Sequence, residues 1–257
     1  MTTSPLIAVD IGNSSTKIGW DFGAAAAATL PTPRETRSLP TGQAPPQNLV
    51  TEMPSAPCRW HISSVHREGT RILTNWLRTH RASDAIRLLT VSDLPIVTRV
   101  DHPDRVGLDR LAAAVAANLL RDAGRPAIVI GAGSAITVNL IAADGEFEGG
   151  VILPGFRMSA EALYGADLLP LTVLSPNDEP PPIVGKNTEA AIQSGLFWGA
   201  VGAVREAVQR ISNNLDQQPQ IFVTGGDLRQ LARYLGHTAQ FIPNLVLSGI
   251  AAAADRG

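Results

Sequence analysis

Asp10 ends a short apolar run, Leu6 to Val9, and opens the turn Ile11-Gly12-Asn13-Ser14-Ser15-Thr16-Lys17. A strand that delivers a carboxylate into glycine, hydroxyl and amide residues has the parts of a metal–phosphate site. Gly12 lets the backbone come close to a ligand, and turn N–H groups suit phosphate oxygens. Asp10 offers a hard oxygen to Mg²⁺, directly or through water. Lys17 adds positive charge if its strand turns it the same way. The same residues also make a hairpin turn that needs no ligand. The segment is not a Walker loop, which requires a longer glycine-rich run ending in Gly-Lys-Ser/Thr before a helix.

Gly107-Leu108-Asp109-Arg110 begins an Ala-rich helical pattern. Asp109 in a first helical turn complements the helix dipole without further purpose. Its other use is to accept the proton of an attacking hydroxyl, with Arg110 binding an anionic group. Three glycine-rich segments follow strand patterns: Gly131 to Thr137 (GAGSAIT), Gly149 to Gly155 (GGVILPG) and Thr224 to Asp227 (TGGD). Each permits close ligand approach, and each also serves tight packing.

The five histidines (61, 66, 80, 102 and 237) show no helix-spaced pair, and Cys58 is the single cysteine, so nothing outlines a zinc site. No Gly-x-Ser-x-Gly elbow supports a hydrolase triad. Trp60, Trp76 and Trp198 are expected in the core.

Strands must carry the turns. Leu6–Val9 and Thr16–Trp20 form a hairpin, Arg59–Val65 and Ile86–Val91 are strands, and Gly69–Thr79 is a helix between them. Leu108–Arg121 is a helix buried on most sides. Pro126–Ile130 is a central strand, and Ile136–Ala142 and Gly149–Leu153 flank an Asp144-Gly145 turn. Helices follow over Phe156–Tyr164, Asn187–Ile211, Leu228–Leu235 and Leu245–Ala254, with a short strand at Ile221–Val223 and a loop over Ser175–Gly185. Leu30 to Pro57 holds seven of the nineteen prolines and is expected to be a long surface loop or a poorly ordered insertion.

The turn at Asp10–Thr16 is echoed at Gly131–Thr137, each ending one apolar strand and entering a second. This points to a duplication, with halves at 1–122 and 123–257. The 257 residues suffice for a substantial core, and 21 basic against 23 acidic residues leave a net charge of −2. That balance favours neither nucleic acid nor an acidic membrane as partner. No apolar run reaches spanning length, no signal-peptide layout precedes Asp10, and one cysteine suits a reducing cytoplasm.

Taken in order, DIGNSSTK (10–17), ISSV (62–65), P-x-x-VGLDR (103–110), GAGSAIT, GGVILPG, KNT with a downstream SG (186–195), TGGD and PNLVLSGI (243–250) resemble the type III pantothenate kinases. The resemblance spans nearly the whole chain. It implies an α/β fold of two ribonuclease-H-like, actin-like halves, mixed sheets flanked by helices, with a nucleotide cleft between them. It implies ATP-dependent phosphorylation of pantothenate, the first step towards coenzyme A, by a cytoplasmic homodimer using Mg²⁺ and K⁺ or NH₄⁺.

By position, the resemblance puts Asp10, Ile11, Gly12, Asn13, Ser14, Ser15, Thr16 and Lys17 on the ATP phosphates, with Asp10 at Mg²⁺ and Ser134 also contacting ATP. It makes Asp109 the proton acceptor and assigns Gly107, Leu108, Asp109, Arg110 and Thr188 to pantothenate. Two positions depart from the family pattern. Gly131 replaces the family carboxylate that implies the monovalent-cation site, so the site expected from the family lacks that ligand here. Val100 stands where a substrate-contacting Tyr is often found. The departures leave two alternatives: a weakened homologue acting as a nucleotide-binding accessory protein, and a kinase for another small hydroxyl substrate.

Overall fold

The computed structural model describes residues 4–22, 29–165, 179–226, 231–236 and 239–254. The chain divides into two compact units, residues 1–120 with 244–257 and residues 121–243.

The first unit is built on β1 (Leu6–Ile11), β2 (Ser15–Trp20), β3 (Glu35–Pro40), β4 (Arg59–Ser64) and β5 (Ala85–Leu88), in sheet order β3-β2-β1-β4-β5. β2 runs antiparallel to β1 and β3, while β4 is parallel to β1 and β5. Alternation along β1 sends Ile7, Val9 and Ile11 to one face, into a core with Trp60 and Ile62 of β4. Leu49 of the short helix α1 (Leu49–Glu52) and Leu73, Trp76 and Leu77 of α2 (Arg67–His80) complete it. The opposite face, with Ala8 and Asp10, carries α3 (Leu108–Leu120) and α7 (Leu245–Ala254).

The second unit has β6 (Ala127–Ala132), β7 (Ala135–Ile141), β8 (Phe147–Pro154), β9 (Gln220–Thr224) and β10 (Ala239–Phe241), ordered β8-β7-β6-β9-β10. α4 (Phe156–Tyr164), α5 (Thr188–Asn213) and α6 (Leu231–Tyr234) accompany it. Phe197, Val201 and Val204 of α5 pack on Ile128, Ile130, Ile136 and Val138. Strand order and direction repeat those of the first unit: β6 is antiparallel to β7 and parallel to β9, as β1 is to β2 and β4. The duplication outlined by the two turns is therefore a duplication of whole sheets.

Two expectations need correction. Residues 30–57 are neither structureless nor peripheral: β3 pairs with β2 along its whole length, and Leu49 and Met53 are buried. An edge strand held by backbone hydrogen bonds needs no apolar run, so its composition resembles a loop. In addition, α7 packs on α3 and β1 in the first unit, although the sequence boundary at 123 assigned it to the second half. The helices at 156–164 and 245–254 stand as expected, and Trp60 and Trp76 are buried. Residues 228–230 of the expected helix, Ser175–Asp178 of the expected loop, Asp227 and His237 lie outside the described residues.

Candidate active site

In the first unit, the register pairs Asp10 with Lys17 across β1 and β2 and with Ser63 across β1 and β4. Residues paired in register present their side chains to one face. Lys17 therefore shares the face of Asp10 and does not point away from it. Asp109, in the first turn of α3, reaches the same neighbourhood. Burial, and then the negative charge of Asp109, push the Asp10 carboxyl up to about 7, against a smaller opposing pull from Lys17. A divalent cation would relieve both causes, since it favours the ionised carboxylate and separates two like charges.

The turn itself is closed by Gly12 N–H donating to Ser15 O at 3.0 Å. Asn13 and Ser14 stand exposed at its tip, while Ile11 and Thr16 are buried in the flanking strands. Thr41, just past β3, fastens the turn from outside: its Oγ1 donates to Gly12 O at 2.9 Å, and its N–H donates to Ser14 O at 3.1 Å. Thr41 Oγ1 also lies 3.1 Å from Thr16 Oγ1. No sequence signal marked Thr41, because it belongs to the proline-rich stretch.

Gly107, Leu108, Asp109 and Arg110 are half-buried where α3 begins, and burial holds the Arg110 guanidinium below its ordinary range, partly offset by Asp109. Val100 is half-buried in the irregular segment leading to that helix.

In the second unit, the separate glycine signals converge. A β-carbon on Gly155 would overlap the carbonyl oxygens of Gly133 and Ser134, and Gly155 N–H donates to Ser134 O at 3.1 Å. Gly225, at φ +114°, lies against the backbone of Ala132. The chain just past β8 thus meets the Gly133–Ser134 turn, and the chain just past β9 meets Ala132 at the end of β6, both in backbone contact that only glycine allows.

Gly131 pairs with Thr137 and Thr224, occupying in this sheet the place of Asp10 in the first. Its β-carbon would stand 2.9 Å from Thr137 Oγ1, which accepts from Asn139 Nδ2 at 3.2 Å. Among the described residues these neighbours bring neutral hydroxyl and amide groups, and no carboxylate. They do not fit a monovalent cation that relies on a carboxylate here.

Thr188 is exposed at the start of α5, whose Asn187 cap accepts from Ala190 N–H at 2.8 Å. It borders an open apolar groove of about 700 Å³ shared by Met158, Leu163, Ile192 and Leu196. Among the described residues no group of three or more His, Cys, Asp or Glu side chains could hold a metal, and no helix is long and apolar enough to cross a membrane.

Two five-stranded sheets of one order, each built on an antiparallel hairpin next to a parallel strand, define an actin-like fold. A glucokinase from an Antarctic psychrotroph shares it, with a TM-score of 0.51, 11% identity and full coverage of both chains. A Campylobacter jejuni protein described as a Baf family transcriptional activator also shares it, with a TM-score of 0.59, 18% identity and coverage of 97% of this chain and 98% of that one. The family model of the type III pantothenate kinases matches residues 6–210, and the chain belongs to that family. A type III pantothenate kinase of Phenylobacterium zucineum is 35% identical over 193 residues, 74% of this chain and 72% of that protein. Several other relatives of the same name are matched over about half of their own length.

Proposed function

We propose that the protein transfers the γ-phosphoryl group of ATP to the hydroxyl of pantothenate, the opening step towards coenzyme A. The observation that carries this reading is the pairing of Asp10 and Asp109 within one unit, close enough for the charge of one to shift the other. Phosphoryl transfer requires positioning and charge neutralisation more than covalent help from the protein.

In this reading Asp109 accepts the hydroxyl proton as the substrate oxygen bonds to the γ-phosphorus and the bond to ADP breaks. By their family positions Gly107, Leu108, Arg110, Val100 and Thr188 are assigned to pantothenate. Residues 10–17 hold the ATP phosphates, and Ser134 with its glycine-bounded turn contacts the nucleotide. Asp10 would hold Mg²⁺, which suits a cation that takes few protein ligands. When bound, Mg²⁺ supplies positive charge against the developing charge on the phosphoryl oxygens. We further propose a cytoplasmic homodimer, for which the apolar groove beside Thr188 offers a surface.

The test is ATP-dependent phosphorylation of pantothenate by purified protein with Mg²⁺, alongside Asp109→Asn. Turnover that collapses in the variant supports the reading. Folded, ATP-binding protein without turnover overturns it in favour of an accessory role.

A further inference from the structure

The segment Ile62-Ser63-Ser64-Val65 ends β4 with two adjacent serines that point to opposite faces of the sheet. Ser64 has a structural task. Its Oγ accepts from His66 N–H at 3.0 Å and from Thr70 Oγ1 at 2.7 Å, which closes the junction between β4 and α2. Ser63 has no such task. It is 1% exposed, and its Oγ has no hydrogen-bond partner among the described residues. Buried hydroxyls are in general hydrogen-bonded; among the described residues Ser63 shares this unmet state with Ser248 of α7, and its own case requires an explanation.

Its position supplies one. Ser63 pairs in register with Asp10 across the parallel strands β1 and β4. Neighbouring strands lie about 4.8 Å apart, so the two side chains stand side by side on the face that carries α3 and α7. Both residues also lie at the carboxyl ends of their strands, the edge where α/β sheets receive ligands.

We propose that Ser63 is a positioning residue of the phosphoryl-transfer site: when Mg²⁺ and nucleotide are bound, its hydroxyl donates to the Asp10 carboxylate and fixes its orientation. The proposal rests on the kinase reading above. A hydrogen bond to a charged carboxylate is stronger than one between neutral groups, so a single hydroxyl suffices to bias the carboxylate. The unsatisfied state belongs to the protein before the charge arrives.

The test uses Ser63→Ala, which deletes the hydroxyl, and Ser63→Cys, which keeps the side chain's size with a weak donor. Calorimetric titration of ADP across Mg²⁺ concentrations is measured beside the melting temperature of the metal-free protein and the steady-state kinetics. Both variants are expected to raise the Mg²⁺ concentration for half-maximal ADP binding about tenfold. They should lower kcat with little change in the KM for pantothenate, and leave the metal-free melting temperature unchanged or higher. Unchanged Mg²⁺ dependence in both variants, while Asp10→Asn loses it, overturns the role of Ser63 and leaves the kinase reading standing. A lowered metal-free melting temperature in both variants also overturns it, in favour of a structural hydroxyl. Wild-type protein that binds ADP without regard to Mg²⁺ overturns both readings.

Discussion

Gly131 and Thr137 face one another across β6 and β7, with the hydroxyl of Thr137 occupying the space where a side chain at residue 131 would begin. An aspartate placed there must displace Thr137 Oγ1 and break its hydrogen bond from Asn139. Gly131→Asp is therefore expected to destabilise the second unit by about 1–3 kcal/mol, as overpacking does. Wild-type turnover and Mg²⁺·ADP binding are expected to be the same in K⁺, NH₄⁺ or Na⁺ buffers. Thermal unfolding of the variant and rates across the three ions check both statements.

Asp109→Asn keeps the shape of the side chain at the start of α3 and removes its basicity. Loss of a positioned general base lowers turnover by about 10²–10⁴-fold. The KM for pantothenate should move much less, since Arg110 and the backbone of Gly107 remain. The same substitution removes the like charge beside Asp10, so the Asp10 carboxyl should titrate lower, which carbon-detected NMR can follow.

The raised carboxyl of Asp10 fixes the direction of two pH dependences. Its value of about 7 lies above the ordinary 3.8, so between those limits the folded protein holds a proton that the unfolded chain has lost. Metal-free stability attributable to Asp10 should therefore be fully present at low pH and should fall as pH rises towards 7. Asp10→Asn should flatten that decline. Mg²⁺ binding displaces the same proton, so Mg²⁺-dependent ADP affinity should strengthen from pH 6 to pH 8, a range set by that value of about 7.

Gly249 lies inside α7, where alanine would ordinarily be favoured by about 1 kcal/mol. Here the sign reverses. A β-carbon at residue 249 would overlap the Ala112 carbonyl oxygen of α3. Gly249→Ala is expected to lower the unfolding midpoint of the first unit, and denaturant titration checks it.

The charged cluster below β4 is a second point of vulnerability. Burial opposes ionisation of Asp84, but hydrogen bonds from Arg81, from Trp60 Nε1 and from Cys58 N–H, with the Arg81 charge, hold its carboxyl below the ordinary range. Arg81 Nη2 also donates to Pro54 O at 2.9 Å and Ala56 O at 3.0 Å, tying the segment after α1 to the sheet. Asp84→Ala leaves Arg81 buried without its partner and should cost about 3–5 kcal/mol. Urea unfolding measures the loss.

The parts of this molecule that declare themselves in the sequence are those whose burial is set by their own residues. β1, the Ala-rich α3 and α7 carry continuous apolar patterns, and Asp10 stands out because a carboxylate interrupts one. β3, with the sequence ETRSLP, is held by backbone pairing to β2, and its side chains are mostly exposed, so no periodicity betrays it. Gly155 and Gly225 were visible as glycines, but their joint purpose depends on Ser134 and Ala132, distant in sequence. Ser63 was legible only as part of a motif, since an unmet hydroxyl is a property of three dimensions.

The second unit interrupts the first, because α7 returns to α3 after residues 121–243. On the ribosome, all five strands of the second sheet are made before α7 exists. The second unit can finish its core while the first still lacks a helix. The side of α3 that meets α7, including Ala112, stays uncovered until α7 emerges. The half that bears Asp10 and Asp109 is thus begun before the other and finished after it, which ties the completion of its core to the arrival of α7.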